Sequence, residues 1–255
     1  DPYSPPGSKL YMAPEILTQH AFDTKCEVYT YGLMLFFIFT GRGVYERAGS
    51  VHELIECQKQ PNPLLLTDDD CSKNYGDAYE QFGMFGGGYP CIMAHCVHSN
   101  EDEQALMQKN GVFIAHSPES NMNLASGVAP INKFLDNGLQ VGLATDVAGG
   151  SHESLLRAMT HAIQASKLRW RLYDQDVKPL SFDRAFYLAT MGGGAFFGKV
   201  GSFLDGYEFD AVVLDDAALD HPQELSVRAR LERAAYLADD RNLTAKFVAG
   251  QKIFG

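Results

Sequence analysis

The feature that most constrains this chain is an alternation between residues 90 and 146: "PCIMAHCV", "SNEDEQALMQKN", "GVFIAHSP", "INKFLDNG" and "QVGLATD". Short apolar runs exchange places with segments of helical period, which predicts a βαβαβ series. Runs that stay apolar on successive residues are expected to be buried on both faces, as in a parallel sheet or barrel. Ser99, with Asp102 three residues on, predicts a capping box for the first helix, and Gly111 and Gly138 predict the two helix exits. The third run, "VGLATDVAGG", ends in a single carboxylate, Asp146, before breaking into glycines. Such an acid either caps the turn or serves a site.

Beyond Asp146 the pattern predicts a long helix near residues 154 to 173 and a shorter one over 183 to 188. A strand follows at "DAVVLDD", then a helix at "SVRARLERAAYLADD", and "AKFVAGQKIFG" reads as a terminal strand or hairpin. The tail is therefore expected to form a small sheet added to the main one. Upstream, "QKQPNPLLLTDDDCSK" interrupts every period with two prolines and an aspartate triplet, which predicts a junction near residues 58 to 74. Before it, "FDTKCEVYTYGLMLFFIFTG" predicts a helix with Asp23 as N-cap and Gly41 just past its end, its later part apolar on every face and so buried within a domain.

Composition narrows the function classes. Formal net charge is -11, and an acidic surface repels nucleic acid and anionic membranes, so neither is expected as a partner. The apolar stretch "YGLMLFFIFT" is about half a bilayer span, and the opening "DPYSPPGSKL" has no basic or apolar leader region, so no membrane segment or signal peptide is expected. Five scattered cysteines without C-x-x-C spacing predict free thiols and a cytoplasmic setting.

The motifs "MAHCVHS", "HSPESNMNLASG", "LATDVAGG" and "GYEFDAVVLDD" occur in the order found in guanine deaminases, which residues 74 to 255 resemble. These are zinc aminohydrolases of the amidohydrolase superfamily. The resemblance implies a (β/α)₈ barrel with its site at the C-terminal strand ends, of which this segment looks like the last three strands. It implies hydrolytic deamination of guanine to xanthine and ammonia. Asp146 stands where the family has an aspartate that binds zinc, contacts substrate and shuttles the proton of the metal-bound water, and His95 where it has a histidine that hydrogen-bonds this water. The family's H-x-H pair, a further histidine, the glutamate three residues after it and the purine-reading arginine have no counterpart in residues 1 to 73. Ser117 stands in place of the usual cysteine and Ala144 in place of the usual glycine. A catalytic zinc takes three protein ligands, so this chain alone is expected to be inactive. Self-association, or a partner completing the barrel, is expected instead.

The piece before the junction resembles a fragment of a protein kinase C-terminal lobe. "GSKLYMAPEIL" carries an A-P-E motif at Ala13, Pro14 and Glu15, and "EVYTYGLMLFFIFTGRGVY" is similar to the buried helix that follows it, with Glu27 in place of the usual aspartate. The glycine-rich loop, H-R-D and D-F-G motifs are absent, so no phosphoryl transfer is implied. Residues 1 to 60 thus read as a mostly helical remnant joined to a deaminase portion. A noncatalytic scaffold, an aminohydrolase of another amino-heterocycle and a kinase fragment stand as alternative functions.

Other candidate residues have plainer readings. His98, three residues beyond His95, is expected on the opposite strand face. His116 lines the pocket mouth or supports its loop, and His152, His161 and His221 are structural or solvated. Cys91 and Cys96 are expected on opposite faces as buried free thiols. Gly192 to Gly194, with no preceding strand and no following G-K-[ST], read as tight helix packing rather than a phosphate cradle.

Overall fold

A computed structural model describes residues 11–19, 24–40 (side chains of 29–37), 44–45, 48, 50–59, 74–219 and 221–255. They fall into two compact units, Asp1–Phe85 and Gly86–Gly255. Most of the junction expected at 58 to 74, and the caps expected at Asp23 and Gly41, lie outside the described residues. The residues around Tyr75 to Phe85 fall in the first unit.

The described part of the first unit is helical: α1 (Pro14–Gln19), α2 (Thr24–Thr40), α3 (Val51–Gln58) and α4 (Tyr75–Glu80). Ser50 and Asn74 accept hydrogen bonds from Glu53 N and Asp77 N, satisfying amides that the first turns of α3 and α4 leave free. Leu33 and Phe36 of α2 pack with Val44, Tyr45 and Leu54, and the Tyr29 and Tyr45 hydroxyls lie 2.6 Å apart. Full burial of α2 is not what the structure shows. Tyr31, Met34 and Phe37 are exposed. The uniformly apolar sequence concealed which stripe packs, because nothing polar marks the open face.

The second unit carries a parallel sheet in the order β1 (Ile92–Ala94), β2 (Phe113–His116), β3 (Gln140–Leu143). α5 (Glu101–Asn110) connects the first pair, α6 (Pro118–Asn123) and α7 (Ile131–Asp136) the second, and α8 (Leu155–Leu172) follows. Gly111 ends α5 at φ 66°, a left-handed position suited to glycine. The N-cap of α5 is Asn100 rather than Ser99: its Oδ1 accepts from Glu103 N at 2.9 Å. Asn caps as well as Ser, and one residue of shift brings it into register.

Burial on both faces of the strands also needs correcting. Ile114, His116, Val141 and Leu143 are buried, the alternate positions of β2 and β3 are half-buried or exposed, and Ile92 on β1 is exposed. The alternating pleat separates the fully buried positions of β2 and β3 from the more open ones. After α9 (Phe182–Tyr187), a π-helical turn over Leu188–Gly192 packs on β3. A Cβ on Gly142 would lie 2.7 Å from Gly193 Cα, and one on Gly192 would lie 2.5 Å from Val141 O. The glycine cluster is thus a close-packing device, as its sequence context indicated. β4 (Ala211–Leu214), α10 (Val227–Leu237), β5 (Leu243–Val248) and β6 (Gln251–Phe254) complete the unit, the three strands forming an antiparallel sheet. Among the described residues no helix is long and apolar enough to cross a membrane.

Candidate functional site

The parallel register brings three strand ends to one edge, and the chain leaves each end differently. After β1, His95 and Cys96 adopt φ of 68° and 50°, left-handed values that are rare for residues with side chains. The His95 amide still donates to Ala115 O at 2.9 Å, so the reversal starts from a fixed point. Asp146, three residues past β3, sits at φ 50°, and Gly150 N donates back to its carbonyl at 2.6 Å. Gly149 is needed here, because a Cβ would fall 2.9 Å from Asp146 Oδ2 and 2.6 Å from Ser120 Oγ.

These turns place the side chains of His95 and Asp146 together, as expected of groups on strands whose ends share one edge. His95 Nε2 lies 3.6 Å from Asp146 Oδ2, with the side chains 40% and 42% exposed. That separation lets one small hydrogen-bonding molecule touch both groups from the solvent side. The other imidazole nitrogen is occupied: His95 Nδ1 lies 2.8 Å from Oδ1 of Asn121, a residue buried in α6.

His116, the last residue of β2, is 2% exposed and does not line a pocket mouth. Burial, aided by the charge of His95, lowers its pKa to about 4, so it stays neutral at ordinary pH. The opposite-face argument for His98 does not apply, because β1 stops at Ala94. His98 Nε2 instead lies 2.9 Å from Ser126 O. For the same reason Cys91 and Cys96 flank the strand from outside it. Both are partly buried and, like Cys57, form no disulfide, and burial pushes the Cys96 thiol up to about 11. His221 sits in an exposed turn beside the backbone of Gln223.

A second cluster has no counterpart in the sequence reading. Glu119 in α6 is 8% exposed, yet its Oε1 accepts from the Ser151 hydroxyl and lies 3.0 Å from His152 Nδ1. Its Oε2 is 3.8 Å from Nδ1 of His161 on α8. Desolvation pushes the Glu119 carboxyl up, but hydrogen bonds from Ser151 and His152 and the nearby His161 outweigh it and hold the pKa below the ordinary value. Asn123, also in α6, donates to Gly149 O at 2.9 Å. Ser151 and His152 thus tie the loop after Asp146 to α6, while His161 approaches Glu119 from α8 without a hydrogen bond.

Among the described residues, no group of three or more His, Cys, Asp or Glu side chains is placed to hold a metal ion. His95 and Asp146 supply two donors, and the Glu119 cluster spends its donors on itself. The described residues do not fit a three-ligand zinc centre. A separate cleft of about 540 Å³ is lined by Asn132, Lys133, Lys178 and Arg184. Of its cations, Arg184 is paired with Asn132 and Asp136 and Lys133 with Glu101.

The chain is similar to known guanine deaminases. A guanine deaminase from Dictyostelium discoideum is 32% identical over 188 residues, which cover 71% of this chain and 41% of that protein. A guanine deaminase from C. acetobutylicum, solved with guanine in its active site, aligns with a TM-score of 0.68 and 46% identity over 72% of this chain and 43% of that one. A zinc-bound adenosine deaminase from Xanthomonas campestris aligns at TM-score 0.58 and 24% identity, a likeness of fold alone, over 69% of this chain and 39% of that one. The chain thus spans less than half the length of these relatives. The amidohydrolase family model matches residues 37–253, most of the sequence, and on that match the chain belongs to the amidohydrolase family.

Proposed function

We propose that this chain contributes the C-terminal part of a guanine deaminase barrel, its last three strands, and that His95 and Asp146 are its site residues. The observation that carries the reading is the 3.6 Å approach of His95 Nε2 to Asp146 Oδ2 at the C-terminal ends of parallel strands. The reaction is hydrolysis of guanine to xanthine and ammonia. In it Asp146 takes a proton from the attacking water, and His95 orients the water and the reacting centre. The 46%-identical structure holding guanine supports this substrate over another amino-heterocycle or a scaffold role.

Asp146 is also assigned the zinc-ligand position that the resemblance to zinc aminohydrolases implies. The described residues cannot complete that centre. The missing ligands must come from elsewhere, and a second chain is the source we favour. Cys57, Cys91 and Cys96, which form no disulfide, suit a reducing, cytoplasmic setting. The kinase-like origin of residues 1 to 60 rests on the A-P-E motif at Ala13 to Glu15, and the family match from residue 37 overlaps its second half.

Ammonia release from guanine tests the reading. The chain alone, with zinc in excess, is expected to stay at background. Co-production with the first half of the Dictyostelium discoideum enzyme is expected to give turnover that Asp146→Asn abolishes. Turnover indifferent to Asp146→Asn overturns the site assignment, and turnover by the chain alone overturns the need for completion.

A further inference from the structure

α6 begins immediately after β2, with Pro118 at its first position, and it brings Asn121 under the imidazole of His95. Asn121 is 2% exposed. Its backbone is held at both ends: its amide donates to Ser117 O at 3.1 Å and its carbonyl accepts from Ser126 N at 2.8 Å. The side-chain oxygen lies 2.8 Å from His95 Nδ1, and the side-chain nitrogen is buried without a hydrogen-bond partner. A carboxamide oxygen accepts and cannot donate, so a bond of this length needs the hydrogen on the imidazole nitrogen.

We infer that Asn121 is a positioning residue that fixes His95 in the tautomer with its proton on Nδ1 and its lone pair on Nε2. The reactive nitrogen is thereby set as an acceptor beside a second acceptor, the Asp146 carboxylate at 3.6 Å. A molecule that binds both must bring two hydrogens, one for each. Water does so, as does an amino group. The opposite tautomer would aim an N–H at Asp146, joining the two side chains to each other and removing the acceptor from the shared space. Burial makes the choice firm, because Asn121 has no solvent through which to exchange partners.

This inference deepens the deaminase reading and rests on His95 being a site residue, but its test needs no turnover. Long-range ¹H–¹⁵N correlation spectra of the imidazoles, recorded on the intact chain at a pH where His95 is neutral, report which ring nitrogen carries the proton. His95→Gln assigns the signal by its loss. The wild type is expected to favour the Nδ1–H form by about tenfold, the ratio that one hydrogen bond of ordinary net strength supplies. Asn121→Leu, which removes the acceptor, is expected to lose that preference, whereas Asn121→Asp, which keeps an acceptor of the same size, is expected to retain it. A residue needed only for packing would not separate the two variants in this way. A wild type dominated by Nε2–H overturns the inference without any variant, so it stays testable even if Asn121→Leu fails to fold. An unchanged preference in folded Asn121→Leu overturns it equally. Failure of the complementation assay would sink the deaminase reading and leave the tautomer measurement standing.

Discussion

The parallel sheet β1–β3 and the antiparallel sheet β4–β6 have the same number of strands and similarly apolar sequences, yet they use those residues in opposite ways. In "FIAH" of β2, Ile114 is 1% exposed and His116 2%, whereas in "AVVL" of β4, Val212 is 55% and Val213 45% exposed. Helices and the glycine turn over Leu188–Gly192 close onto the first sheet. Both faces of β4 stay open among the described residues. Strand composition reports the tendency to form a strand, and packing partners decide whether its apolar side chains leave water.

The largest effect that would sharpen this contrast lies at Gly142. Its missing Cβ makes room for Gly193 Cα, and backbone cannot move aside as a flexible side chain can. Gly142→Val is expected to cost about 3 kcal/mol in denaturant unfolding, through overpacking. Val213→Thr on β4 is expected to stay within about 0.5 kcal/mol. Equal costs at the two positions would erase the distinction between the sheets.

The next effect appears on acidification, and it belongs to the closed sheet alone. His116 binds its proton near pH 6.5 when exposed but only near 4 in its buried place. Between those values the unfolded chain holds more protons, so stability is full above about 6.5 and falls as pH drops toward 4. From pH 7 to pH 5 the loss from this residue is about 2 kcal/mol, by linkage from that shift. A pH series of urea midpoints should show it, and His116→Gln should flatten the slope whether or not it lowers overall stability. A wild-type curve with no slope there would mean that His116 is hydrated.

Glu119 comes third. Glu119→Ala leaves Ser151 and His152 without their shared acceptor, with an expected cost of about 1 to 2 kcal/mol. The more telling readout is local. Amides of residues 147 to 152 should exchange with solvent faster than the global change in stability explains, because Glu119 ties that loop to α6. Exchange that rises uniformly across the unit would make Glu119 an ordinary core residue.

The order and type of most elements in the second unit were legible in the sequence, because apolar runs and helical segments alternate cleanly between residues 90 and 146. His95 and Asp146 were legible through their motifs, and their proximity follows from parallel strands that sit one strand apart in the sheet. What stayed hidden has physical causes. β1 ends at Ala94, one residue before His95, and the left-handed turn there removes the alternation on which the readings of His98, Cys91 and Cys96 relied. α6 is six residues long, too short to show a period, although Pro118 at its start was a fair signal. Glu119, Ser151, His152 and His161 come from three separate segments, and no local pattern links residues that meet only after the chain has folded. The open face of α2 could not be told from its packed one, since both are apolar.

The smallest expected change in stability comes with the clearest change in behaviour, on the open sheet. Val212 on β4 pairs with Lys246 on β5, and Lys246 pairs with Phe254 on β6, so the three side chains form one cross-strand row. Val212 and Phe254 are both more than half exposed and leave apolar surface on either side of a single charge. Such a face favours self-association, which light scattering of freshly purified protein should detect as a mass above that of one chain. The double substitution Val212→Glu and Phe254→Glu places a carboxylate on each side of Lys246, an arrangement that cross-strand pairing accepts. It should lower the scattering mass while moving the unfolding free energy by no more than about 0.5 kcal/mol, since neither side chain gives up much burial. A wild type that scatters as a clean monomer would show that exposure on this sheet carries no drive to associate. A double variant that unfolds far more easily would show instead that the row is covered in the folded protein, and that the two sheets are less different than their exposures suggest.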